Sequence, residues 1–425
     1  MQKKVYIIEH DLISPIAIGR ENIVDGIKLN KSADSQIKRF DVSGLPFRKG
    51  AEIKEDLSKY YTEETDELKA LFTLDRKLEL LATTWGKSKN RLGSILNKCE
   101  PERTGVILGI GAEAIPLTYF EQELTQFIDK KLNAISELIT ALNSKSGALN
   151  TVSNPYDIYT LYLAEKFNAR AFQKSILTAC VSSTQAIAQA YDSILRGKAD
   201  VIIAGGTDSI INLIALISFG KLGVIPETGT NNLCRPFDTN RFGTIAGEAA
   251  GFVIMASQDF VNKHNLKPLA SIIGYGNTLD GYKITAPDQN ATAMSKAILD
   301  AIKQSKISAN DYDYFYAHGT GTRQNDSVEL KAIKTALGNH ANAIPISSTK
   351  DRHGHAIAAA GIQELCILLE LMKNDLIPGN LNLQNSIEPD MNLPKENFSQ
   401  KINYALTSNF AFGGINTVLA VKNEQ

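Results

Sequence analysis

Hydrophobic and polar positions alternate most regularly from Lys174 onward. Residues 175–178 and 201–204 are short β-branched runs that predict strands, and between them Ile187, Ala190, Tyr191, Ile194 and Leu195 fall on one helical face. Arg196 and Gly197 close that helix with a last-turn cation and a glycine stop. The same order returns downstream. Residues 343–347 predict a strand, STKDRHGH a polar turn, and Ile357, Gly361, Leu365, Leu368, Leu369 and Met372 one face of a helix. Strand, small polar turn and Ala-rich helix thus occur twice, which predicts a layered α/β domain duplicated into halves that meet near Gln258.

Tyr312, Tyr314 and Tyr316 alternate like strand residues and lead into the glycine turn HGTGT. Asp326 and Glu329 have the spacing of a capping box ahead of the helical face Leu330, Ile333, Leu337. TSNFAFGGINTVLA predicts a hairpin turning at Gly413 and Gly414. The N-terminal apolar run is short and broken by Glu9, His10 and Asp11, so it predicts a first strand rather than a signal peptide or spanning helix. Residues 40–170 are the least patterned. Their acidic run Glu63, Glu64, Asp66, Glu67 and the polar stretch 142–154 predict solvated helices and loops.

Composition narrows the possibilities. With 425 residues, 43% hydrophobic and 21% charged, the chain can bury a large core. Its 45 basic and 46 acidic side chains nearly cancel, which argues against non-specific nucleic-acid binding and a polybasic membrane anchor. Cys99, Cys180, Cys234 and Cys366 lie far apart without a CxxC pair, so neither a disulfide framework nor a zinc ribbon is predicted, and a reducing cytoplasm is the expected compartment.

Candidate chemistry concentrates in three glycine-rich or small-residue turns. Cys180 stands where a strand gives way to a helix, an elbow that presents a side chain. Unpaired N–H groups and the positive end of the helix there are expected to lower its pKa from about 8.5. Cys99, Cys234 and Cys366 lack that setting and read as structural. His318 stands at a strand's C-terminal end, where α/β folds place their sites. His355 precedes the second Ala-rich helix, with Lys350 five residues before it. His353 and His355 form a pair, yet no third ligand follows at metal spacing. Phe410 and Phe412 are either core residues of the hairpin or an aromatic gate.

These stretches together resemble the bacterial type II 3-oxoacyl-[acyl-carrier-protein] synthases, the elongating Cys-His-His condensing enzymes of the thiolase superfamily. TACVSSTQAI, ADVIIAGGTDS, CRPFDTNRFGTIAGEAAG, DGYKITAP, AHGTGTRQNDSVE, STKDRHGHAIAAAG and SNFAFGGIN occur in family order. The resemblance implies a five-layered αβαβα fold from two halves, here 1–257 with the cysteine and 258–425 with the two histidines. It implies decarboxylative condensation of an acyl group carried on Cys180 with malonyl-acyl-carrier protein. Cys180 is the implied nucleophile, and His318 and His355 the implied donors to the enolate. Lys350 would pair with Glu329 to hold them, with Asp326 in support. The N–H groups of Cys180 and Phe412 would form the oxyanion hole, Phe410 and Phe412 the gate, and Thr320, Thr322 and Thr285 the phosphopantetheine contacts. The implied partners are acyl carrier protein and a second copy or a chain-length-type subunit, with no metal and no cofactor beyond the carrier's pantetheine. A thiolase would place a second Cys where Phe410 and Phe412 stand, and a starter-type enzyme an Asn where His355 stands. A non-catalytic chain-length subunit would lack the nucleophile.

Departures from the family pattern mark specialisation. Glu9-His10-Asp11 replaces a glycine-rich strand end, and GEAAG replaces GEGAG. Phe242 stands in place of an acidic residue, and Lys283 where His is common. Asp351, Arg352 and His353 replace a small apolar stretch. The early helix that usually meets the acidic carrier with basic residues is acidic here, leaving Lys221, Lys130 and Lys131 as docking candidates.

Overall fold

The computed structural model describes residues 3–111, 156–229 and 234–425. Ten strands carry the architecture: β1 (Val5–Ser14), β2 (Thr104–Ile110), β3 (Phe172–Ile176), β4 (Val201–Ser209), β5 (Glu248–Ser257), β6 (Ala270–Leu279), β7 (Tyr314–Tyr316), β8 (Ile346–Ser347), β9 (Tyr404–Ala411) and β10 (Ile415–Asn423). The helices that matter for the site are α1 (Arg76–Leu96), α2 (Ile158–Lys166), α3 (Ser182–Leu195), α4 (Thr292–Ser305), α5 (Arg323–Leu337), α6 (Lys350–His353) and α7 (Ala360–Lys373).

The strands run β8-β7-β9-β10-β6-β1-β5-β4-β2-β3. β1 pairs with β5 along most of its length but meets β6 only through Val5, Tyr6 and Ile7, so the sheet divides there into two lobes. Numbered within its own half, each lobe has the spatial order 3-2-4-5-1. The strand senses also match, with strands 2–3 and 2–4 parallel and 4–5 and 5–1 antiparallel in both. That shared topology is the duplicated architecture the repeated strand–turn–helix pattern predicts. α3 and α7 pack on each other between the lobes, α1 and α2 cover the outer face of the first, and α4 with α5 beside it covers the second. This gives five layers, αβαβα.

The strands fold as they do because both faces are covered. β4 and β5 read as nearly unbroken apolar or small runs and are almost wholly buried. β1 is buried throughout despite its Glu9-His10-Asp11 run. Arg91 reaches Glu9 (3.2 Å) and Asp11 (3.0 Å), Arg20 also bonds Glu9, and Glu370 on α7 meets His10 Nε2 at 3.0 Å. Close approach explains two glycines. A side chain on Gly109 would strike the backbone of Ser183 at 2.2 Å, and one on Gly361 would lie 2.0 Å from Thr184 Oγ1.

Several local expectations shift. The strand before Cys180 begins earlier, at Phe172, and the strand expected at 343–347 forms only at Ile346 and Ser347. α5 starts at Arg323 with Thr322 at its N-cap, so Asp326 and Glu329 lie inside the helix and form no capping box. Of the acidic run, Glu64 is not a solvated charge: it pairs with Lys166 (2.6 Å) and accepts from Tyr162 (2.7 Å). Lys130, Lys131 and residues 142–154 lie outside the described residues. Among the described residues no helix is long and apolar enough to cross a membrane.

Candidate active site

The first reactive element is the elbow between β3 and α3. Ala179 adopts φ +50°, and Ala179–Val181 form a short 3-10 turn before α3 begins at Ser182. Ser182 Oγ clamps this bend, donating to the Ala179 carbonyl (2.7 Å) and accepting from the Thr178 amide (2.9 Å). A strained residue held this way aims the next side chain, Cys180, at the space between the lobes. The second half repeats the device: Ile357 has φ +38°, and the 3-10 turn Ile357–Ala359 precedes α7. At the position corresponding to Cys180 that copy carries Ala358.

His318 stands just beyond β7 and His355 just beyond α6. Cys180 Sγ and one ring nitrogen from each histidine lie within 4.8 Å of one another, all buried. His355 Nε2 is 3.1 Å from Cys180 Sγ, and the two rings meet edge to face at 5.2 Å. The three side chains line a cavity of about 560 Å³ together with Phe410, Phe412, Thr320, Thr322 and Thr285. Lys283 and Arg323 stand on its wall, Lys283 exposed near Thr285 with its ammonium over the ring of Tyr282, and Arg323 over the ring of Phe242.

Behind the cavity lies a buried polar cluster. Lys350 Nζ pairs with Glu364, donates to the His318 carbonyl, and lies 3.3 Å from His318 Nδ1. Asn409 Nδ2 donates to Glu364 (2.7 Å) and lies 3.2 Å from the same Nδ1. An ammonium and an amide NH₂ can only donate, so Nδ1 accepts and the His318 proton sits on Nε2, facing the cavity. The pairing of Lys350 with Glu329 expected from the family is therefore replaced by Lys350 with Glu364. Glu329 instead grips the turn that carries His318, accepting from the His318 amide (2.7 Å), the Gly319 amide (2.8 Å) and Ser408 Oγ (3.0 Å). Asp326 supports the next bend through the Gly321 amide (3.2 Å) and the Phe237 amide (2.8 Å).

Burial dominates the electrostatics. It pushes His318 and His355 well below their ordinary pKa, and the Lys350 ammonium adds to the effect, so both rings are neutral. Burial likewise pushes the Cys180 thiol up to about 12, with Lys350 pulling the other way. The expectation of a lowered cysteine pKa fails for that reason: loss of water outweighs the helix terminus. Glu329 rises to about 7 by burial, against its backbone hydrogen bonds.

Both nitrogens of His353 are engaged within the protein, so it is turned away from His355 as a second ligand. Among the described residues Cys180, His318 and His355 are the one group close enough to share a metal. Glu364, Asn409 and Ser408 escape the sequence reading as functional residues. Ser408 and Asn409 sit inside the motif SNFAFGGIN, but no spacing rule links Glu364 to a lysine fourteen positions earlier.

The family model for the N-terminal domain of beta-ketoacyl synthase matches residues 2–260, and that for the C-terminal domain matches residues 269–384. A 3-oxoacyl-[acyl-carrier-protein] synthase 2 from Synechocystis is 28% identical, covering 100% of this chain and 99% of the relative. Nodulation protein E from Rhizobium meliloti is 30% identical over 92% of each chain. The ishigamide ketosynthase/chain length factor structure superposes with a TM-score of 0.85 at 21% identity, covering both chains completely, and shows the same fold.

Proposed function

We propose that this chain, which belongs to the beta-ketoacyl synthase family, catalyses decarboxylative condensation of a Cys180-bound acyl group with malonyl-acyl-carrier protein, giving 3-oxoacyl-acyl-carrier protein for fatty-acid or polyketide synthesis. The observation that carries it is the shared chamber of Cys180, His318 and His355, with a fixed lysine–carboxylate–amide cluster behind His318.

In the first half-reaction Cys180 Sγ attacks the carbonyl carbon of an acyl-pantetheine thioester. The thiol proton passes to His355 Nε2, 3.1 Å away, and then to the departing pantetheine sulfur. The amides of Cys180 and Phe412 receive the tetrahedral oxyanion, an interaction worth roughly 3–4 kcal/mol. In the second half-reaction malonyl-carrier protein loses CO₂. The electron pair of the broken C–C bond forms an enolate whose oxygen accepts from His318 Nε2–H and His355 Nε2–H. The enolate carbon then attacks the acyl thioester and expels Cys180 as a thiolate, which takes up a proton from solvent to restore the thiol. His318 supplies a constant donor because its tautomer is fixed. Nδ1 of His355 is buried without a partner, so nothing fixes its tautomer and the ring can accept in one step and donate in the other. Neutral rings suit this work, since an imidazolium would hold the malonyl carboxylate as an ion pair and oppose loss of CO₂.

Thr320 and Thr322, whose hydroxyls lie 2.9 Å apart, and Thr285 on the same wall suit the amide-rich pantetheine arm. No cofactor beyond that arm enters the scheme. Residues 1–257 and 258–425 act as the cysteine-bearing and histidine-bearing halves. Carrier protein is the partner, with Lys283 and Lys221 as candidate contacts, and the working unit is a homodimer in the cytoplasm. Incubation with acyl-carrier protein followed by mass spectrometry should find the acyl group on Cys180, with Cys180→Ala giving none. An adduct on another residue would refute the assignment.

A further inference from the structure

Behind the two histidines runs a second polar line that the reaction above does not use. β7 points Tyr314 and Tyr316 to one face, and their hydroxyls meet Ser347 (2.8 Å) and Thr349 on the adjoining β8 segment. Thr349 Oγ1 continues to His353 Nε2 at 2.8 Å, and His353 Nδ1 reaches the Gly354 carbonyl at 2.8 Å. The direction of each bond follows from its last member. A carbonyl only accepts, so His353 Nδ1 carries the proton and Nε2 must accept from Thr349. The Thr349 oxygen in turn accepts from Tyr316.

The endpoints give the line its meaning. Tyr316 lies two residues before His318 and Thr349 one before Lys350, while the Gly354 carbonyl belongs to the peptide joining Gly354 to His355. Gly354 has φ +73°, and a side chain there would crowd Ala51 at 3.0 Å, so this peptide has little room to settle elsewhere. All four residues of α6 are buried, and Asp351 and Arg352 tie its other side to Leu381, Asn30 and Asn397. Along the line from Tyr316 to the Gly354 carbonyl every side-chain polar atom is hydrogen-bonded, and a buried network of this kind rigidifies what it joins.

We propose that Tyr316, Thr349 and His353 are positioning residues that set the spacing of His318, Lys350 and His355 for decarboxylation of the malonyl group. The inference rests on the function proposed above. Acyl loading requires the Cys180 elbow and one imidazole; enolate formation requires both Nε2–H groups aimed at one oxygen. A displacement of about 1 Å costs such a geometry about 100-fold. The second half-reaction should therefore be the sensitive one.

The test compares single-turnover acyl loading of Cys180 with decarboxylation of malonyl-carrier protein by the loaded protein. Tyr316→Phe and Thr349→Val should each slow decarboxylation about 10- to 100-fold and leave loading within about threefold. The double variant should be no slower than the slower single one, because both cut the same line. Thr349→Ser, which restores the hydroxyl, should recover most of the rate. Equal losses in both steps, multiplying losses in the double variant, or a Ser variant as slow as Val would overturn the proposal. If Thr349→Val does not fold, Tyr316→Phe, which removes one oxygen, carries the same comparison. A wild-type protein that loads but never decarboxylates would instead overturn the function beneath it.

Discussion

Cys180 illustrates how competing local forces set reactivity. The amide-rich start of α3 favours a thiolate, yet the side chain is 7% exposed and its pKa is pushed up to about 12. Since that value lies above neutral pH, the thiolate fraction should rise tenfold per pH unit with no plateau near 8.5. Iodoacetamide labelling of Cys180 followed from pH 7 to 10 should show that slope, whereas levelling off by pH 9 would restore the helix-terminus argument. Lys350 and Glu364 offer a second measurement, both being about 1% exposed. Removing one partner leaves an uncompensated buried charge, so Glu364→Ala should lower unfolding stability by about 3–5 kcal/mol. Replacing both, as Lys350→Met with Glu364→Leu, should recover much of that loss in urea unfolding. If the double variant were the less stable of the two, the lysine would not be depending on this carboxylate.

At the scale of elements, the contact between α3 and α7 joins the two halves to the chemistry. Ser183 Oγ accepts from the Ile362 amide at 3.0 Å, and Gly361 lies against Thr184, which also bonds Asn409. A methyl group at Gly361 would sit 2.0 Å from Thr184 Oγ1 and 2.9 Å from Asn409 Oδ1. Gly361→Ala should therefore cost about 1–3 kcal/mol by overpacking. It should also displace Asn409 from His318 and slow decarboxylation, which stability and turnover measurements on one preparation can check. The chain's own pattern already shows much of this level. Period-two alternation marks β7, the Gly413-Gly414 turn marks the β9–β10 hairpin, and the two Ala-rich helices announce α3 and α7. The pattern misplaces the start of α5, because Asp326 and Glu329 mimic a cap while their carboxylates are committed to backbone amides at positions 237, 318, 319 and 321. The Lys350–Glu364 pair is illegible for a related reason: it depends on how α7 is laid against α6, which no local spacing encodes.

For the molecule as a whole, the two ends of the strand order are treated differently. β8 is sheltered, since the Ile346 amide donates to the Asn392 carbonyl (2.9 Å) and the Ser348 amide to the Asn380 side chain (3.0 Å). At the other end β3 pairs with β2 on one side, and among the described residues no strand covers the opposite side. Leu177, Leu161 and Tyr156 are each more than 40% exposed in this region. An uncovered edge with apolar neighbours is a template for strand pairing, and an isologous pairing of two β3 strands would join two copies into one longer sheet. Because β3 ends four residues before Cys180, such a partner would also brace the elbow that aims the nucleophile. The Ala171 amide donates inward to the Thr104 carbonyl (3.0 Å), so by alternation the Lys174 amide faces the open side, and Lys174→Pro tests the arrangement without cutting the β2–β3 ladder. Sedimentation should find the wild-type protein as a dimer and the variant as a monomer with slower acyl loading. A variant that remains dimeric would place the contact between copies on another face.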